Sequence, residues 1–198
     1  MKYKLIIALF FLSFSVISSQ ETNISSISTE KILKVGDLAE GGIVFYVNET
    51  GEHGLVCSLN NLSTSARWFE KWTPRRNERL SENFNTSTTI LGNKNKYKEN
   101  QSRYSALKLC SKLNLKMDGE NYKDWYLPSI DELNMLYLKK EIINTKALEN
   151  NGNVLENSFY WSSTEKDYTN AWIQNFKDGK KGHYYKNYLY NVRAIRQF

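Results

Sequence analysis

The stretch "DWYLPSIDEL", residues 124–133, marks where an extended segment ends and a helix begins. Pro128 disfavours helical angles at the residue before it, and the aromatic residues further upstream favour a strand. Ser129 is a good N-cap, and Glu132 follows three residues later, which is the pattern of a capping box. Apolar residues then recur at helical spacing as far as about Lys140. The sequence therefore predicts a strand-like segment that runs directly into an amphipathic helix.

Two further elements precede this stretch. "SRYSALKLCSKLNL" places Leu107, Cys110 and Leu113 at three-residue intervals, which predicts an amphipathic helix with the cysteine on its apolar stripe. The apolar runs Ile43–Val47 and Leu55–Leu59 are separated by the turn-forming "NETGEHG". They predict an N-terminal β-hairpin with a longer loop.

The last forty residues have a different character. "FYWSST", "AWIQNFKDGKKG", "HYYKNYLY" and "VRAIRQF" are short runs rich in aromatic and β-branched residues, and "KDGK" is a hairpin turn signal. Residues 60–100 are polar and irregular. The predicted fold class is therefore α+β, with an N-terminal hairpin, two helices and a C-terminal antiparallel sheet with long irregular loops.

The N-terminal segment "MKYKLIIALFFLSFSVISSQ" has lysines before a short apolar core and small residues after it. This is the pattern of a signal peptide over residues 1–19, and the apolar core is too short for a membrane span. An uncleaved anchor is the alternative. A flexible polar linker is expected over residues 20–35 and a single domain over 36–198. We therefore expect an exported protein, which is secreted, periplasmic or on the cell surface, with no transmembrane segment after cleavage.

The formal net charge is +6, and basic residues cluster at 71–79, 94–98 and 177–186. Such clusters attract sulphated or acidic polysaccharide, anionic lipid or nucleic acid, although solvated lysines on an ordinary surface are the simpler interpretation. Export disfavours nucleic acid, so we expect no nucleic-acid partner. The oligomeric state stays open.

The cysteines and histidines indicate little chemistry. Cys57 and Cys110 are too few for a disulfide scaffold, although one bridge between them stays open in an exported protein. Together with His53 and His183 they lack the spacing of zinc ligands. The adjacent carboxylates of the capping stretch suit a helix N-terminus better than acid–base catalysis. We expect no metal, no cofactor and no catalytic residue.

The order of these motifs resembles a known family. "GGIVFYV", "ALKLCSKL", "YKDWYLPSIDELNMLY", "YWSSTE", "AWIQNFKDG" and "VRAIRQF" together are similar to the C-terminal (Lcl-C) domain of bacterial collagen-like adhesins, over roughly residues 36–198. The resemblance implies a C-type-lectin-like fold, in which the terminal strands pair and a long irregular region supports a ligand surface. The residues expected to be structural are Trp125, Pro128, Ser129, Glu132, Trp161, Trp172, Arg193 and Arg196.

The chain departs from the family pattern at two points. Ala194 stands where many relatives carry a cysteine in the final motif, which leaves Cys57 as the possible disulfide partner of Cys110. The Glu-Pro-Asn and Gln-Pro-Asp motifs of calcium-dependent lectins do not occur in the sequence. Calcium-bridged binding of monosaccharides is therefore not expected.

These features predict a non-enzymatic binding module that recognises a glycan, sulphated or acidic, or a protein on a surface. Aromatic faces stack on sugar rings, and lysines attract acidic groups. The expected ligand-binding residues are Tyr168, Lys180, Lys181, Tyr184, Tyr185 and Lys186. A structural or display domain with a variable ligand surface is the alternative. An enzyme related to the formylglycine-generating oxidases, which share this fold class, is a further alternative.

Overall fold

The computed structural model describes residues 32–69 and 105–198, and all of them belong to one compact unit, Ile32–Phe198. The predicted signal peptide, most of the predicted linker and the basic clusters at 71–79 and 94–98 lie outside these residues. The described chain is α+β, as predicted. Its elements in order are β1 Leu38–Ala39, β2 Gly42–Val47, β3 Gly54–Cys57, β4 Ser63–Ala66, α1 Ala106–Ser111, β5 Leu115–Met117, β6 Glu120–Tyr122, α2 Ile130–Leu138, α3 Lys140–Glu149, β7 Phe159–Glu165, β8 Asn170–Asn175, β9 Lys181–Tyr185, β10 Tyr190–Val192 and β11 Ile195–Gln197.

The first sheet contains the predicted N-terminal hairpin. Its strand order is β1-β2-β3-β11, and all neighbours are antiparallel. Ile43 lies opposite Cys57 in the hairpin, and Ile195 of β11 lies opposite the same cysteine on its other side. The beginning and the end of the domain are therefore hydrogen-bonded to each other.

The second sheet contains the aromatic C-terminal runs. Its strand order is β4-β10-β7-β8-β9, and the turn between β8 and β9 uses Gly179 at φ +77° where "KDGK" predicts it. One part of the prediction is wrong, because β10 pairs with β7 in parallel. The chain leaves the sheet edge at β9 and re-enters between β4 and β7, which a simple meander would not do. β4 comes from residues 63–66, which the sequence places in the irregular region.

The first helix is shorter than the sequence predicts. α1 begins after Ser105, whose side chain accepts a hydrogen bond from the backbone of Lys108, and it ends at Ser111. A β5–β6 hairpin follows, which the sequence analysis did not predict. Its turn contains Asp118 at φ +50° and Gly119 at φ +91°, the left-handed angles that an Asp-Gly hairpin turn requires.

The second helix begins where the sequence predicts it. Ser129 Oγ accepts from the backbone N–H of Glu132 at 3.3 Å, and the Glu132 carboxylate accepts from the backbone N–H of Ser129 at 2.7 Å. Both halves of the capping box are therefore present. The residues before it make a short bridge, since Tyr126 exchanges two backbone hydrogen bonds with Ile195.

A third helix corrects the predicted number of two. α3 follows α2 after a break at Lys139, which makes no side-chain capping bond. It buries Ile143 and Ala147, one turn apart, against the first sheet and α2. Two buried positions are a weak pattern in sequence, so this helix depends on tertiary packing rather than on local signals.

Three tryptophans belong to one buried cluster, which also contains Val44 and Val56 of the first sheet and Ile173 and Val192 of the second. Trp161 of β7 is fully buried and donates from Nε1 to the Ala66 carbonyl at 2.8 Å. Trp68 donates from Nε1 to the Ser162 carbonyl at 2.7 Å. These two bonds join the β4 segment to β7. Trp125, also buried, donates to the Tyr122 carbonyl at 3.0 Å.

Candidate binding surface

Five aromatic rings from β7, β9, β10 and the turn between β9 and β10 contact one another on the second sheet. Tyr184 lies on the same sheet face as the buried Ala171 opposite it, so its ring extends the core outward at the sheet edge. The turn after β9 then brings another tyrosine against it, and the start of β10 and of β7 supply the remaining rings. We call this group the tyrosine surface; it consists of Phe159, Tyr184, Tyr185, Tyr188 and Tyr190.

The rings of the tyrosine surface contact one another in a continuous network. Tyr190 lies 5.5 Å from Phe159 and 5.8 Å from Tyr184, measured between ring centroids. Tyr188 lies 6.1 Å from Tyr184 and 5.7 Å from Tyr185. These spacings are those of favourable tilted and edge-to-face aromatic pairs. The rings therefore hold one another in place instead of moving separately.

The tyrosine surface runs from the core to solvent. Tyr190 packs edge-on against the buried Trp161 at 4.9 Å, while Tyr184, Tyr185 and Tyr188 are 41%, 55% and 45% exposed. Adjacent strand residues normally alternate between core and solvent, yet Tyr184 and Tyr185 are both exposed. Within the described residues β9 is the edge strand of the sheet, so less of the protein covers its two faces. The result is an exposed aromatic platform fixed to the tryptophan core.

The hydroxyl group of Tyr190 stays protonated near neutral pH. Burial, together with repulsion from the nearby phenols of Tyr184 and Tyr188, raises the pKa of Tyr190 to about 12. A neutral phenol can donate a hydrogen bond as well as accept one. The surface thus offers apolar ring faces together with hydrogen-bonding groups.

Lys186, which the sequence places among the ligand-binding residues, is directed into the protein. Its ammonium pairs with Glu165 and donates to the carbonyls of Asp167 at 2.8 Å and Tyr168 at 3.0 Å. It also lies 4.8 Å from the centroid of the Trp68 ring. Its side chain is only 12% exposed. Lys186 therefore connects the turn after β9 to β7 and to the β7–β8 loop.

The other two lysines lie at the opposite end of β9. Lys180 is 83% exposed in its side chain, and its ammonium is 3.3 Å from Asp178. Lys181 is 3.4 Å from Asp131 at the start of α2. Four residue steps along the strand, roughly 13 Å, separate Lys181 from Tyr185. The structure thus places Tyr168, Tyr184 and Tyr185 at one end of β9 and the accessible lysines at the other.

The family model of the Lcl C-terminal domain matches residues 60–196, which is more than half of the chain. The chain belongs to this family. The match includes the tyrosine surface and every residue that the sequence assigns to ligand binding, whereas the β2–β3 hairpin lies before it. No curated protein matches this Lcl C-terminal domain.

Two arginines hold loops of the Lcl C-terminal domain together. Arg196 donates to the carboxylates of Asp124 at 2.7 Å and Glu40 at 3.0 Å, which joins β11 to two separate loops. Arg193 is 1% exposed and donates twice to the Asn153 carbonyl, at 3.1 Å each. Both side chains are directed at protein groups, which fits a structural role.

Trp172 of the Lcl C-terminal domain is half-buried on the sheet face opposite Tyr184. Its ring meets His183 edge-on at 5.5 Å, and Lys166 Nζ lies 5.7 Å from its centroid. This smaller aromatic and basic group is exposed on the β9 side. The sequence predicts a structural role for Trp172, but its ring is only half-buried, whereas those of Trp125 and Trp161 are buried.

The two cysteines are free and fully buried, so the possible disulfide is not formed. Cys57 packs with the first sheet, α2 and α3, whereas Cys110 packs in the tryptophan cluster on α1. Burial raises the pKa of the Cys57 thiol, and the neighbouring Arg193 offsets part of that rise. Burial also raises the pKa of Cys110. Both groups are therefore protonated thiols near neutral pH.

No group of three or more histidine, cysteine, aspartate or glutamate side chains that could hold a metal ion occurs within residues 32–69 and 105–198. In the same part of the chain no helix is long and apolar enough to cross a membrane.

A depression of about 450 Å³ lies between the N-terminal hairpin, β11 and α2, away from the tyrosine surface. Tyr46, Met135 and Phe198 form apolar walls, and Glu132 is its acidic group. That carboxylate already accepts from Ser129 and, at 2.8 Å, from the hydroxyl of Tyr126. The acidic group is thus engaged in holding α2, which makes the tyrosine surface the better candidate for ligand binding.

Sequence reasoning missed Phe159, Tyr188 and Tyr190 as members of the surface. The signal was present in "HYYKNYLY", where "KN" separates two tyrosine pairs and suits a turn. A turn at that point brings the second pair into contact with the first. Alternation alone could not show this, because it treats the segment as one strand.

Proposed function

We propose that this Lcl C-terminal domain is an exported, non-enzymatic binding module whose tyrosine surface stacks against the sugar rings of a glycan. The observation that supports it is the exposed, mutually packed set of rings anchored on Trp161 through Tyr190 at 4.9 Å. Rigid aromatic side chains offer a large contact area at a low cost in conformational entropy. Their phenols can donate to sugar hydroxyls at the rim of the contact.

The lysines of β9 suit a glycan that carries acidic groups. A chain that crosses the tyrosine surface and continues along β9 would reach Lys181 and Lys180 after roughly 13 Å. Lys180 is the more accessible of the two. Attraction at such exposed charges is weakened by salt. Sulphated or carboxylated glycans should therefore bind more tightly than neutral ones at low ionic strength.

The state of the cysteines supports a binding role over the enzyme alternative. Reactive cysteines are partly exposed and have lowered pKa values. Cys57 and Cys110 are buried, lie in different core clusters and have raised pKa values. This is unlike the reactive cysteine pair on which the formylglycine-generating oxidases depend.

We also propose a C-type-lectin-like fold and export through the signal peptide at residues 1–19. The pairing of β11 with β3 supports the fold, because it joins the end of the domain to its beginning. The sequence pattern of the first twenty residues supports export. Mass spectrometry of the protein recovered outside the cytoplasm should find an N-terminus near residue 20, whereas an intact Met1 there would contradict cleavage.

Binding of the exported chain to neutral and sulphated polysaccharides, across a salt series and with calcium or chelator, tests the function. We expect Tyr185→Ala and Tyr188→Ala each to weaken binding about 3- to 10-fold, the range of one lost aromatic contact. Tyr46→Ala is the matched control, since Tyr46 is 41% exposed but lies on β2. Its affinity should not change.

Three outcomes would count against the proposal. If the protein binds no polysaccharide, a glycan is excluded as its ligand. An equal loss in Tyr46→Ala would show that the contact is not local to the tyrosine surface. Loss of binding with chelator would indicate a calcium-dependent site instead of ring stacking.

A further inference from the structure

Strand β9 is the last strand of the five-stranded sheet, and its outer side has no partner strand within the described part of the chain. Two backbone hydrogen bonds at the ends of β9 show which of its residues bond to β8. The Asn175 N–H donates to the Lys180 carbonyl, and the Lys186 N–H donates to the Thr169 carbonyl, both at 2.9 Å. Antiparallel pairs alternate between bonded and non-bonded positions. It follows that Gly182 bonds to β8.

The intervening residues direct their backbone groups away from the sheet. By the same alternation the N–H and C=O of Lys181 and His183 point outward from β8. Both residues are exposed. Unpaired edge groups of this kind are a template for another extended chain. Of the tyrosine surface, Tyr184 and Tyr185 lie on β9 itself, whereas Phe159, Tyr188 and Tyr190 lie outside this strand.

The charge at this edge favours one kind of partner. Between residues 177 and 185 there are three lysines and one aspartate, Asp178. Lysines on an edge strand oppose pairing between copies of the same chain. An acidic strand would instead place opposite charges across the ladder, which stabilises the pairing.

We propose that β9 is a docking edge for an extended, acidic peptide segment of a partner protein, which adds to the sheet as a sixth strand. Side chains of the partner would alternate between two faces. On one face they meet Lys181 and His183, where acidic residues fit. On the other they meet Tyr184, whose ring lies beside Gly182, and an apolar residue fits there. The recognised segment therefore alternates acidic and apolar residues.

Binding of the full chain to a labelled peptide of alternating Glu and Val, measured by fluorescence anisotropy, tests this inference. Two comparison peptides have Lys in place of Glu, or the same residues in two blocks. We expect both to bind at least tenfold more weakly. A third peptide, N-methylated at alternate residues, keeps every side chain but cannot pair as a strand, and we expect it not to bind.

The protein offers a matched pair of variants at one position. His183→Pro removes the outward N–H, and Gly182 before it has no Cβ to clash with the proline ring. Proline is tolerated at an edge position whose N–H faces solvent. We expect a loss of at least tenfold in His183→Pro and less than threefold in His183→Ala.

Several results would overturn the inference. These are no binding of the alternating peptide, equal binding of its N-methylated form, or an equal loss in the alanine and proline variants. Tyr188→Ala, which should weaken glycan binding, should leave peptide binding unchanged. The two proposals can therefore fail independently. If the proline variant folds poorly, the N-methylated peptide still tests whether the partner pairs with β9 as a strand.

Discussion

Lys186 is the residue where a structural role can be separated most clearly from a ligand-binding role. Lys186→Met keeps the apolar stem over the Trp68 ring but removes the ammonium. Glu165, whose side chain is only 15% exposed, then loses its partner. The carbonyls of Asp167 and Tyr168 lose a donor as well.

The cost of this change follows from the burial of the pair. Removing one partner of a fully buried ion pair costs about 3–5 kcal/mol, because the other charge is left without compensation. Lys186 and Glu165 retain 12% and 15% exposure, so water reaches them in part. We therefore expect Lys186→Met to lower the free energy of unfolding by about 2–3 kcal/mol, below the fully buried range.

Urea denaturation of four proteins, the original chain, Lys186→Met, Glu165→Gln and the double variant, measures the interaction directly. The double variant should be more stable than the sum of the single losses predicts, by at least about 1 kcal/mol. In a domain of this size Lys186→Met should also lower Tm by roughly 5–10 °C. Lys180→Met is the control, since its side chain is 83% exposed.

An interaction free energy near zero would refute the reasoning. Surface ion pairs contribute about 0–1 kcal/mol to stability. If Lys186→Met lowers the free energy of unfolding by less than about 0.5 kcal/mol, the ammonium of Lys186 is solvent-exposed rather than buried against Glu165. In that case its ammonium would be available to a ligand, as the sequence alone suggested. A loss in Lys180→Met as large as that in Lys186→Met would likewise show that the measurement reports net charge.

Three smaller changes test other parts of the structure. Ser129→Ala removes the cap of α2 and should lower the free energy of unfolding by about 1 kcal/mol in chemical denaturation, and no change would mean that the cap is redundant. Gly179→Ala places a Cβ 2.5 Å from Tyr137 Cε1 at a φ of +77° and should be expressed poorly or melt early. The control Gly119→Ala has a φ of +91° but no atom within 4 Å of its Cβ, so it should lose only the cost of backbone strain, about 1–2 kcal/mol. The pKa of Tyr190 is raised to about 12 in the folded protein, above its unfolded value of about 10. The stability contributed by the neutral phenol is therefore complete below pH 10, and it is lost as the pH rises toward 12. Phenolate absorbance should show one late-titrating tyrosine fewer in Tyr190→Phe, and identical titration curves would contradict the raised pKa.

Features that depend on neighbouring residues were predictable from the sequence. The capping box of Ser129 and Glu132 needs four consecutive positions, and the turn at Gly179 needs a positive φ that its residue type allows. The hairpin of β2 and β3 also follows from two apolar runs and a loop between them. In each case the residues that stabilise the element lie within a few positions of one another in the sequence.

Features that depend on distant residues were not predictable in this way. α3 forms because Ile143 and Ala147 find a core to pack against, and the parallel pairing of β10 depends on where the chain crosses the sheet. Lys186 stands in a basic run like any other, and only the fold shows that Glu165 lies beside it. The same limit applies to Tyr188, whose place on the tyrosine surface is created by a turn.

The pairing of β11 with β3 has a consequence for the order of events in the cell. Ile195 lies opposite Cys57, so the first sheet cannot be completed until residues 195–197 have been synthesised. Contacts between such distant parts of a chain form slowly, because a long loop must close before they contribute. If the chain is exported as proposed, and before this closure, β3 would still lack its neighbour β11 while the chain crosses the membrane. The late pairing of β11 with β3 would then keep the chain incompletely folded during its passage through the membrane. Folding would be completed after the chain has crossed.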